Sequence, residues 1–254
     1  MERAIYKKIH KKIANNEKLL AVLIDPDKII NEASLLKLIH LCVECRVDNL
    51  LVGGSLITSN HTSHIIALIK EHCAIPVVLF PGSFMHVNSL ADGILFLSLL
   101  SGRNPDLLIG QQVMAAPLLK QHPQIEVIST GYLLVDSGAP TTALYMSQSM
   151  PIPRDKPDIA VSTALAAQYL GFSMLYLDAG SGAKLPIDGQ MIEKVKEAIS
   201  IPLTVGGGLD TVDKISNAFS AGADMIVLGN GIEKRPELLI EAAALVEGKT
   251  PRLQ

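Results

Sequence analysis

The stretch SMLYLDAGSG, residues 173–182, joins an apolar run to an acidic residue and then to a cluster of glycine and serine. A run that is apolar along its whole length is typical of a parallel strand covered on both faces. Gly180 and Gly182 remove side chains from the following loop, so its backbone amides can approach a ligand closely. A strand that simply ends in a tight turn has the same composition, so the rest of the chain must decide between these interpretations.

Seven further apolar runs occur along the chain, and amphipathic stretches with helical spacing lie between most of them. Alternation of buried strands with helices predicts an α/β fold, a closed (β/α)8 TIM barrel. With 254 residues, 48% of them hydrophobic, the chain is long enough for a single barrel domain over residues 1–254. The predicted strands are 19–25, 49–54, 76–82, 93–100, 125–135, 173–179, 201–207 and 223–229.

Two connections depart from the regular pattern. Residues 83–92, SFMHVNSLAD, are too few for a turn, a full packing helix and a return loop, so we expect the third helix to be missing or degraded. Residues 136–157 form a long segment rich in proline, serine and threonine. A loop of that length at the catalytic end of a barrel is expected to be a lid or a substrate wall.

The composition argues against several classes of protein. The formal net charge is -3 and the basic residues are spread along the chain, which argues against a nucleic-acid partner. Four lysines between positions 7 and 12 alternate with isoleucines at helical spacing, which predicts an amphipathic helix; membrane-surface contact is the weaker alternative. The chain has neither an apolar run of membrane-spanning length nor a signal-peptide core, and its three cysteines suit a reducing compartment, so we expect a cytoplasmic protein.

Glycine-rich loops follow three of the predicted strands. Gly206, Gly207 and Gly208 follow strand seven, and Gly229, Asn230 and Gly231 follow strand eight. Barrels commonly bind a phosphate at this position through backbone amides. Glycines that merely close barrel turns would explain one such loop, but not both together with the loop after strand six. The sequence therefore predicts a phosphate-binding site.

Asp25 and Ser55 follow strands one and two and would lie across the barrel mouth from these loops. Mg²⁺ prefers hard oxygen ligands and is usually held by one or two carboxylates, with waters and substrate phosphates completing its shell. Asp25 with Ser55 would meet that need. The alternative interpretation of DPDK, residues 25–28, is a turn fixed by proline that caps the next helix.

These motifs in this order resemble the geranylgeranylglyceryl phosphate synthase family, which includes the bacterial heptaprenylglyceryl phosphate synthases. The resemblance covers essentially the whole chain. The matching stretches are LIDPDK at strand one, VGGS at strand two, YLDAGSGA at strand six, VGGG at strand seven and LGN at strand eight.

The resemblance implies a prenyltransferase that joins a long-chain prenyl diphosphate, expected to be geranylgeranyl diphosphate, to sn-glycerol 1-phosphate through an ether bond. It implies Mg²⁺ at Asp25 and Ser55, and a homo-oligomer. We assign Asp178 as the acceptor of the hydroxyl proton and Tyr176 as the residue that orients the substrate. The residues expected to hold glycerol phosphate are Tyr176, Leu177, Asp178, Ala179, Gly180, Ser181, Gly182, Gly206, Gly207, Gly229 and Asn230.

Two positions depart from the family pattern. The smaller members carry a lysine two residues before the strand-one aspartate, where this chain has Leu23, so it resembles the longer-chain subgroup. Relatives often have glutamate at the position of Asp178, whose side chain is one methylene shorter. Two rival functions stay open: a sugar-phosphate isomerase or lyase, and a non-catalytic protein that binds prenyl lipids or phosphates.

The missing helix has a functional explanation if the second substrate is a long isoprenoid. Such a chain must bury many methylenes, each worth about 0.8 kcal/mol, while its head stays at the barrel mouth. A gap in the ring of helices would provide that space; a shortened loop filled by neighbouring side chains is the alternative. The residues expected to line the groove are Phe84, Met85, Val87, Leu90, Leu97 and Leu99.

Overall fold

The structure is a computed structural model that describes residues 3–248, apart from the side chains of residues 233 and 234. Its eight strands close into a barrel in chain order, and each neighbouring pair is parallel, including β1 with β8. The predicted barrel is therefore confirmed, while the predicted domain of residues 1–254 includes ends that lie outside the described residues. The strands are β1 Leu19–Ile24, β2 Asn49–Gly54, β3 Val77–Pro81, β4 Gly93–Leu99, β5 Glu126–Leu134, β6 Met174–Asp178, β7 Leu203–Gly206 and β8 Met225–Leu228.

Helices cover the outside of the barrel, and short helical turns occupy some of the loops. Within residues 3–248 none of these helices is both long and apolar enough to cross a membrane. The α-helices of this part of the chain are α1 Ala4–Ala14, α2 Glu32–Glu44, α3 Thr62–His72, α4 Gln111–Gln121, α5 Thr142–Ser147, α6 Pro157–Tyr169, α7 Gly189–Ala198, α8 Val212–Ser220, α9 Asn230–Lys234 and α10 Glu237–Val246.

Alternate residues of each strand enter two separate apolar layers. On β6, Leu175 and Leu177 pack in the layer shared with the helices, whereas Met174 and Tyr176 belong to the barrel interior. This follows from the strand period of two, which sends successive side chains to opposite faces. Asp178, two residues beyond Tyr176, therefore has its side chain on the interior face at the carboxyl end of the barrel.

Helix α1 is the amphipathic helix that its apolar spacing predicts, and it packs against the end of the barrel opposite the mouth. Ile5 and Ile9 are buried in the interior layer, and Ile5 approaches Gly93 at the start of β4 so closely that an added Cβ would lie 3.0 Å from its Cδ1. The carboxylate of Glu126, the first residue of β5, accepts hydrogen bonds from the amides of Ile5 at 2.7 Å and Tyr6 at 2.8 Å. Glu126 thus satisfies two amides of the first turn of α1, which have no partner within the helix.

The connection between β3 and β4 lacks an α-helix, as its length predicts. It contains a single 3-10 turn, Phe84–His86, and β4 begins at Gly93. The flank that this leaves is covered by α4 and by a π-helical segment before it, Asp106–Gly110.

We expect Glu126→Gln to destabilise the fold by about 1–3 kcal/mol, because its amide NH2 group would face one of the two donating amides and leave that donor unsatisfied. Chemical denaturation followed by circular dichroism measures the loss. Glu193→Ala, which removes an exposed acid of α7, is the control and should leave the midpoint unchanged. Equal midpoints for Glu126→Gln and the wild type would show that the contact does not stabilise the fold.

Candidate active site

The loop after β6 has a backbone that only glycine adopts readily. Gly180 and Gly182 have φ values of 88° and 80°, in the left-handed region. The amide of Gly180 donates to Oδ1 of Asp178 at 2.8 Å, so the loop turns back onto the acid that precedes it. A Cβ at position 180 would also lie 2.7 Å from Oγ1 of Thr141, in the long segment before β6. The loop is therefore fixed from two sides.

The loop after β7 packs directly against β6 and its loop. A Cβ at Gly206 would lie 2.3 Å from the hydroxyl oxygen of Tyr176. A Cβ at Gly207, whose φ is 81°, would lie 2.7 Å from both Oδ1 of Asp178 and the amide nitrogen of Gly180. These glycines are required by close packing, and the predicted binding residues after β6 and β7 form one continuous surface.

A chain of polar contacts connects the remaining strand ends. The side-chain amide of Asn230, just after β8, donates to Oγ of Ser181 at 3.1 Å. The ammonium group of Lys28 donates to Oδ1 of Asn230 and lies 3.7 Å from Oδ2 of Asp25. Lys28 was not singled out by the sequence, although it is part of the motif at residues 25–28. It provides a positive charge between the glycine loops and the predicted metal site.

The capped-turn interpretation of residues 25–28 is confirmed, and the metal site at Asp25 stays a prediction. Asp25 caps the 3-10 turn Pro26–Lys28 by accepting from the amide of Asp27 at 3.1 Å. Its carboxylate also faces β2, because a Cβ at Gly54 would lie 3.7 Å from Oδ2 of Asp25. The sequence missed Asp27, whose carboxylate accepts from the amides of Thr58 at 2.7 Å and Ser59 at 3.0 Å and so ties the loop after β2 to this turn.

The donor atoms at Asp25 and Ser55 fit a Mg²⁺ ion. A carboxylate and a hydroxyl are hard oxygen ligands, and both residues lie at the carboxyl ends of neighbouring strands. Among residues 3–248, with the two masked side chains set aside, no cluster of three or more His, Cys, Asp or Glu side chains forms a cage for a metal. A site with so few protein ligands suits an ion that keeps its waters and binds substrate phosphates.

Three aromatic rings form a cluster beneath Asp178. Tyr132 of β5 lies opposite Tyr176 in the sheet register, and their ring centroids are 5.6 Å apart; Phe80 of β3 completes the cluster at 6.1 Å from Tyr132 and 5.5 Å from Tyr176. The hydroxyl of Tyr132 donates to Oδ2 of Asp178 at 2.5 Å. Tyr132 was not predicted from the sequence, although a tyrosine on the strand before β6 was a usable signal.

Burial has the largest effect on the pKa values of Asp178, Tyr132 and Tyr176. It raises the pKa of the Asp178 carboxyl, while the hydrogen bonds from Tyr132 and from the amide of Gly180 oppose that rise. Burial and the nearby charge of Asp178 raise the pKa values of Tyr132 and Tyr176 well above the ordinary value. Both tyrosines therefore stay protonated at neutral pH, and burial increases the affinity of the Asp178 carboxyl group for a proton.

An apolar cavity of about 170 Å³ runs from the barrel mouth into the flank where the helix is missing. Of the residues expected to line it, Phe84, Val87, Leu97 and Leu99 do so. Met85 and Leu90 do not line it and are 73% and 44% exposed. Phe84 and Val87 are three residues apart and share one side of the 3-10 turn, which leaves Met85 on the solvent side.

The rest of the cavity wall comes partly from β4 and the turn after β3, which were expected to line it, and partly from elements that the sequence did not assign to it. Its other lining residues are Gly54, Ser55, Phe80, Pro81, Gly82, Ser83, Ile94, Leu95, Phe96, Leu107, Gln111, Gln112, Ala115, Tyr132, Ala143, Met146 and Ser147. The last three belong to the segment 136–157, which thus contributes a wall, as expected for it.

Most of the predicted binding residues come together, but two have side chains on the wrong face. Asp178, Tyr176, Gly206 and Gly207 are in mutual contact, and Ser181 meets Asn230. The side chains of Leu177 and Ala179 are fully buried in the outer layer against the helices. These two residues can meet a ligand at the mouth only through their backbone.

Comparison with known proteins identifies relatives over nearly the whole chain. A model of the PcrB family matches residues 11–247. A geranylgeranylglyceryl phosphate synthase of Spirosoma linguale is 50% identical over 232 residues, covering 91% of this chain and 92% of that protein. One of Chitinophaga pinensis is 47% identical over 254 residues, covering 100% of both.

A solved structure agrees with the fold described above. It is the (S)-3-O-geranylgeranylglyceryl phosphate synthase of Thermoplasma acidophilum in complex with its substrate sn-glycerol-1-phosphate. It is 32% identical, covers 96% of this chain and 98% of its own, and superposes with a TM-score of 0.89.

Gly207→Ala should weaken binding of sn-glycerol 1-phosphate, used as the probe, roughly tenfold or more, because the added Cβ would displace the Gly180 amide from the glycine loops. Isothermal titration calorimetry measures the dissociation constant. Gly171→Ala is the matched control, because Gly171 has a similar φ of 86° but no atom within 4 Å of an added Cβ. An equal change in both variants would show that the close contact at Gly207 does not matter for binding.

Proposed function

The chain belongs to the PcrB family, and from this premise we propose that it is a prenyltransferase acting on sn-glycerol 1-phosphate and a long-chain prenyl diphosphate, geranylgeranyl diphosphate being the expected one. The product is an ether-linked prenylglyceryl phosphate, and diphosphate is released. One observation supports this function above its rivals: the glycine loops and an apolar cavity open into the same barrel mouth, at Tyr132. A sugar-phosphate isomerase or lyase has no use for such a cavity, and a simple binding protein has no use for a buried carboxylate beside it.

The glycine loops are proposed to hold the phosphate of glycerol phosphate. Backbone amides with left-handed glycines form a concave surface that suits an anion. Ser181 and Asn230 add polar groups at its edge, and Lys28 adds a positive charge next to Asn230. The ammonium group of Lys28 can supply the charge that smaller family members are expected to provide at the position of Leu23. Leu23 itself lies against Gly229, 3.7 Å from an added Cβ there.

Asp25 and Ser55 are proposed to hold Mg²⁺ for the diphosphate of the second substrate. When bound, the ion neutralises the charge that develops on the leaving diphosphate. Ser55 and Gly54 line the end of the apolar cavity, so the diphosphate head would lie at the mouth while its chain enters the flank. Asp27 keeps the two strand ends together by binding the amides of Thr58 and Ser59.

The reaction then needs a proton acceptor beside the glycerol hydroxyl. We assign this role to Asp178, whose burial raises its pKa and so its affinity for a proton. As the hydroxyl oxygen bonds to the allylic carbon, the bond from that carbon to the diphosphate oxygen breaks and the hydroxyl proton passes to Asp178. Tyr176 orients the glycerol phosphate from the same strand. Positive charge on the allylic carbon would lie beside the rings of Phe80 and Tyr132, which line the cavity.

We further propose that the protein is a homo-oligomer in the cytoplasm that contacts membranes only transiently. Exposed apolar side chains on α4 and α6 support self-association, since apolar surface on a folded protein can mark an interface. Val113 and Met114 of α4 are 61% and 54% exposed, and Tyr169 of α6 is 80% exposed. The free cysteines suit a reducing compartment.

The function is tested by incubating the purified protein with Mg²⁺, sn-glycerol 1-phosphate and prenyl diphosphates of different length, and identifying the ether product by mass spectrometry. Ala115→Phe should raise the KM for geranylgeranyl diphosphate roughly tenfold, because the ring occupies the space of about two methylenes at 0.8 kcal/mol each. Its dissociation constant for glycerol phosphate should not change.

Ala116→Phe is the matched control, because Ala116 is the next residue of α4 and is exposed, whereas Ala115 is buried in the cavity wall. Absence of any ether product with the wild type would refute the prenyltransferase function. A normal KM in Ala115→Phe would show instead that the prenyl chain binds elsewhere.

Asp25→Ala is expected to abolish turnover at ordinary Mg²⁺ concentrations while binding of glycerol phosphate, measured by calorimetry without metal, stays largely intact. The reason is that the metal serves the diphosphate and the glycine loops serve the other substrate. Glu71→Ala is the control, because it removes an exposed carboxylate from the last turn of α3, at the amino end of the barrel. A parallel loss of glycerol phosphate affinity would contradict this division of roles.

A further inference from the structure

Tyr132 is in contact with both halves of the candidate site. Its ring lines the apolar cavity, and its hydroxyl donates to Oδ2 of Asp178 at 2.5 Å. Both residues are almost fully buried, with exposed fractions of 9% for Tyr132 and 6% for Asp178. A charge-assisted hydrogen bond in a water-poor setting is stronger and more geometrically restrictive than one at the surface.

The sheet register explains how the contact arises. Tyr132 is paired with Tyr176 and Leu134 with Asp178, so Tyr132 lies one inward-facing position below the acid on the neighbouring strand. Its ring is held by Phe80 and Tyr176, at centroid distances of 6.1 Å and 5.6 Å. The hydroxyl therefore meets the carboxylate from below, while the Gly180 amide binds the other oxygen at 2.8 Å.

We infer that Tyr132 is a positioning residue for the reaction: its hydroxyl holds the Asp178 carboxylate in its orientation and stabilises the charged form that accepts the substrate proton. The inference rests on the proposed role of Asp178 as proton acceptor. Oδ2 keeps a second lone pair, which the hydroxyl of glycerol phosphate can use. Because the same ring borders the cavity, a prenyl chain that packs against it would also restrict the movement of this hydroxyl.

The direction in which the pKa of Asp178 moves when the Tyr132 hydroxyl is removed follows from the groups around Asp178. The titratable groups that face Asp178 are Tyr132 on β5 and Tyr176 on its own strand, and both are neutral at physiological pH. Burial raises the pKa of Asp178 and the Tyr132 hydrogen bond lowers it. Removing the hydroxyl must raise that pKa further. Since the base acts only when deprotonated, the acidic limb of the kcat profile must then move to higher pH.

Tyr132→Phe tests this, because the ring and its packing remain and only the hydroxyl is lost. We expect kcat to fall roughly tenfold on the acidic side, as the loss of one charged hydrogen bond predicts, and the limb to move to higher pH. The KM for both substrates should change little. In the substrate-free protein, infrared difference spectroscopy should show the Asp178 carboxyl titrating at higher pH, with Asp178→Asn identifying its band.

Tyr6→Phe is the matched control, because it removes a tyrosine hydroxyl that bonds to the Ser173 carbonyl at the other end of the barrel. An unchanged carboxyl titration and pH profile in Tyr132→Phe would overturn the inference. Asp178→Asn tests the role of Asp178 separately from that of Tyr132. A near wild-type rate in this variant would show that Asp178 is not the proton acceptor. Formation of the ether product by the wild type tests the prenyltransferase function independently of both.

Discussion

The carboxyl group of Asp178 lies inside the barrel mouth, where a buried polar group needs hydrogen bonds that replace its lost water. Tyr132 supplies one donor from β5 and the Gly180 amide supplies the other from the following loop. The loop after β7 then has to pass so close that Gly207 has no room for a side chain. One carboxyl group therefore fixes a strand, its own loop and the neighbouring loop, and these are the elements that would bind the substrate.

Acids at the two ends of the barrel serve different purposes. At the amino end, Asp48, Asp92 and Asp224 each accept from a backbone amide and pair with a lysine. Because these carboxylates are bonded to a backbone amide and a lysine, they hold strand ends together. At the carboxyl end, Asp178 is bound by a hydroxyl and an amide and, within the described part of the chain, by no lysine, and Asp25 is bound by an amide with the ammonium group of Lys28 farther away, at 3.7 Å. This division agrees with the general rule that barrels place stability at one end and chemistry at the other.

The flank left open by the missing helix is covered by α4 and by the π-helical segment before it. On this flank β4 pairs with β3 only at Gly93 and Ile94, and farther along β4 the side-chain amide of Gln112 donates to the carbonyl oxygen of Leu97 and also to that of Leu107 in the π-helical segment. Gln111 accepts from the amide of Phe84 at 2.9 Å and so fixes the 3-10 turn. A π-helical segment at Asp106–Gly110 directly precedes these glutamines, and π-helical turns often occur at functional sites. The cavity is thus a gap in the ring of helices whose walls are held in place by these hydrogen bonds.

The eight strands, the absent third helix and the positions of the glycines were predictable from the sequence, because runs of apolar residues, segment length and lack of a side chain are local properties. The places of Asp25 and Asp178 at strand ends were predictable in the same way. The contacts of Tyr132 with Asp178 and of Lys28 with Asn230, and the place of α4 in the cavity wall, were not predictable and become visible in the folded barrel. Those contacts join residues far apart in the chain, and they depend on the register of neighbouring strands and on the closure of the barrel. The prediction that Met85 lines the cavity was wrong, because the 3-10 turn presents only one of its sides to the cavity and Met85 lies on the other.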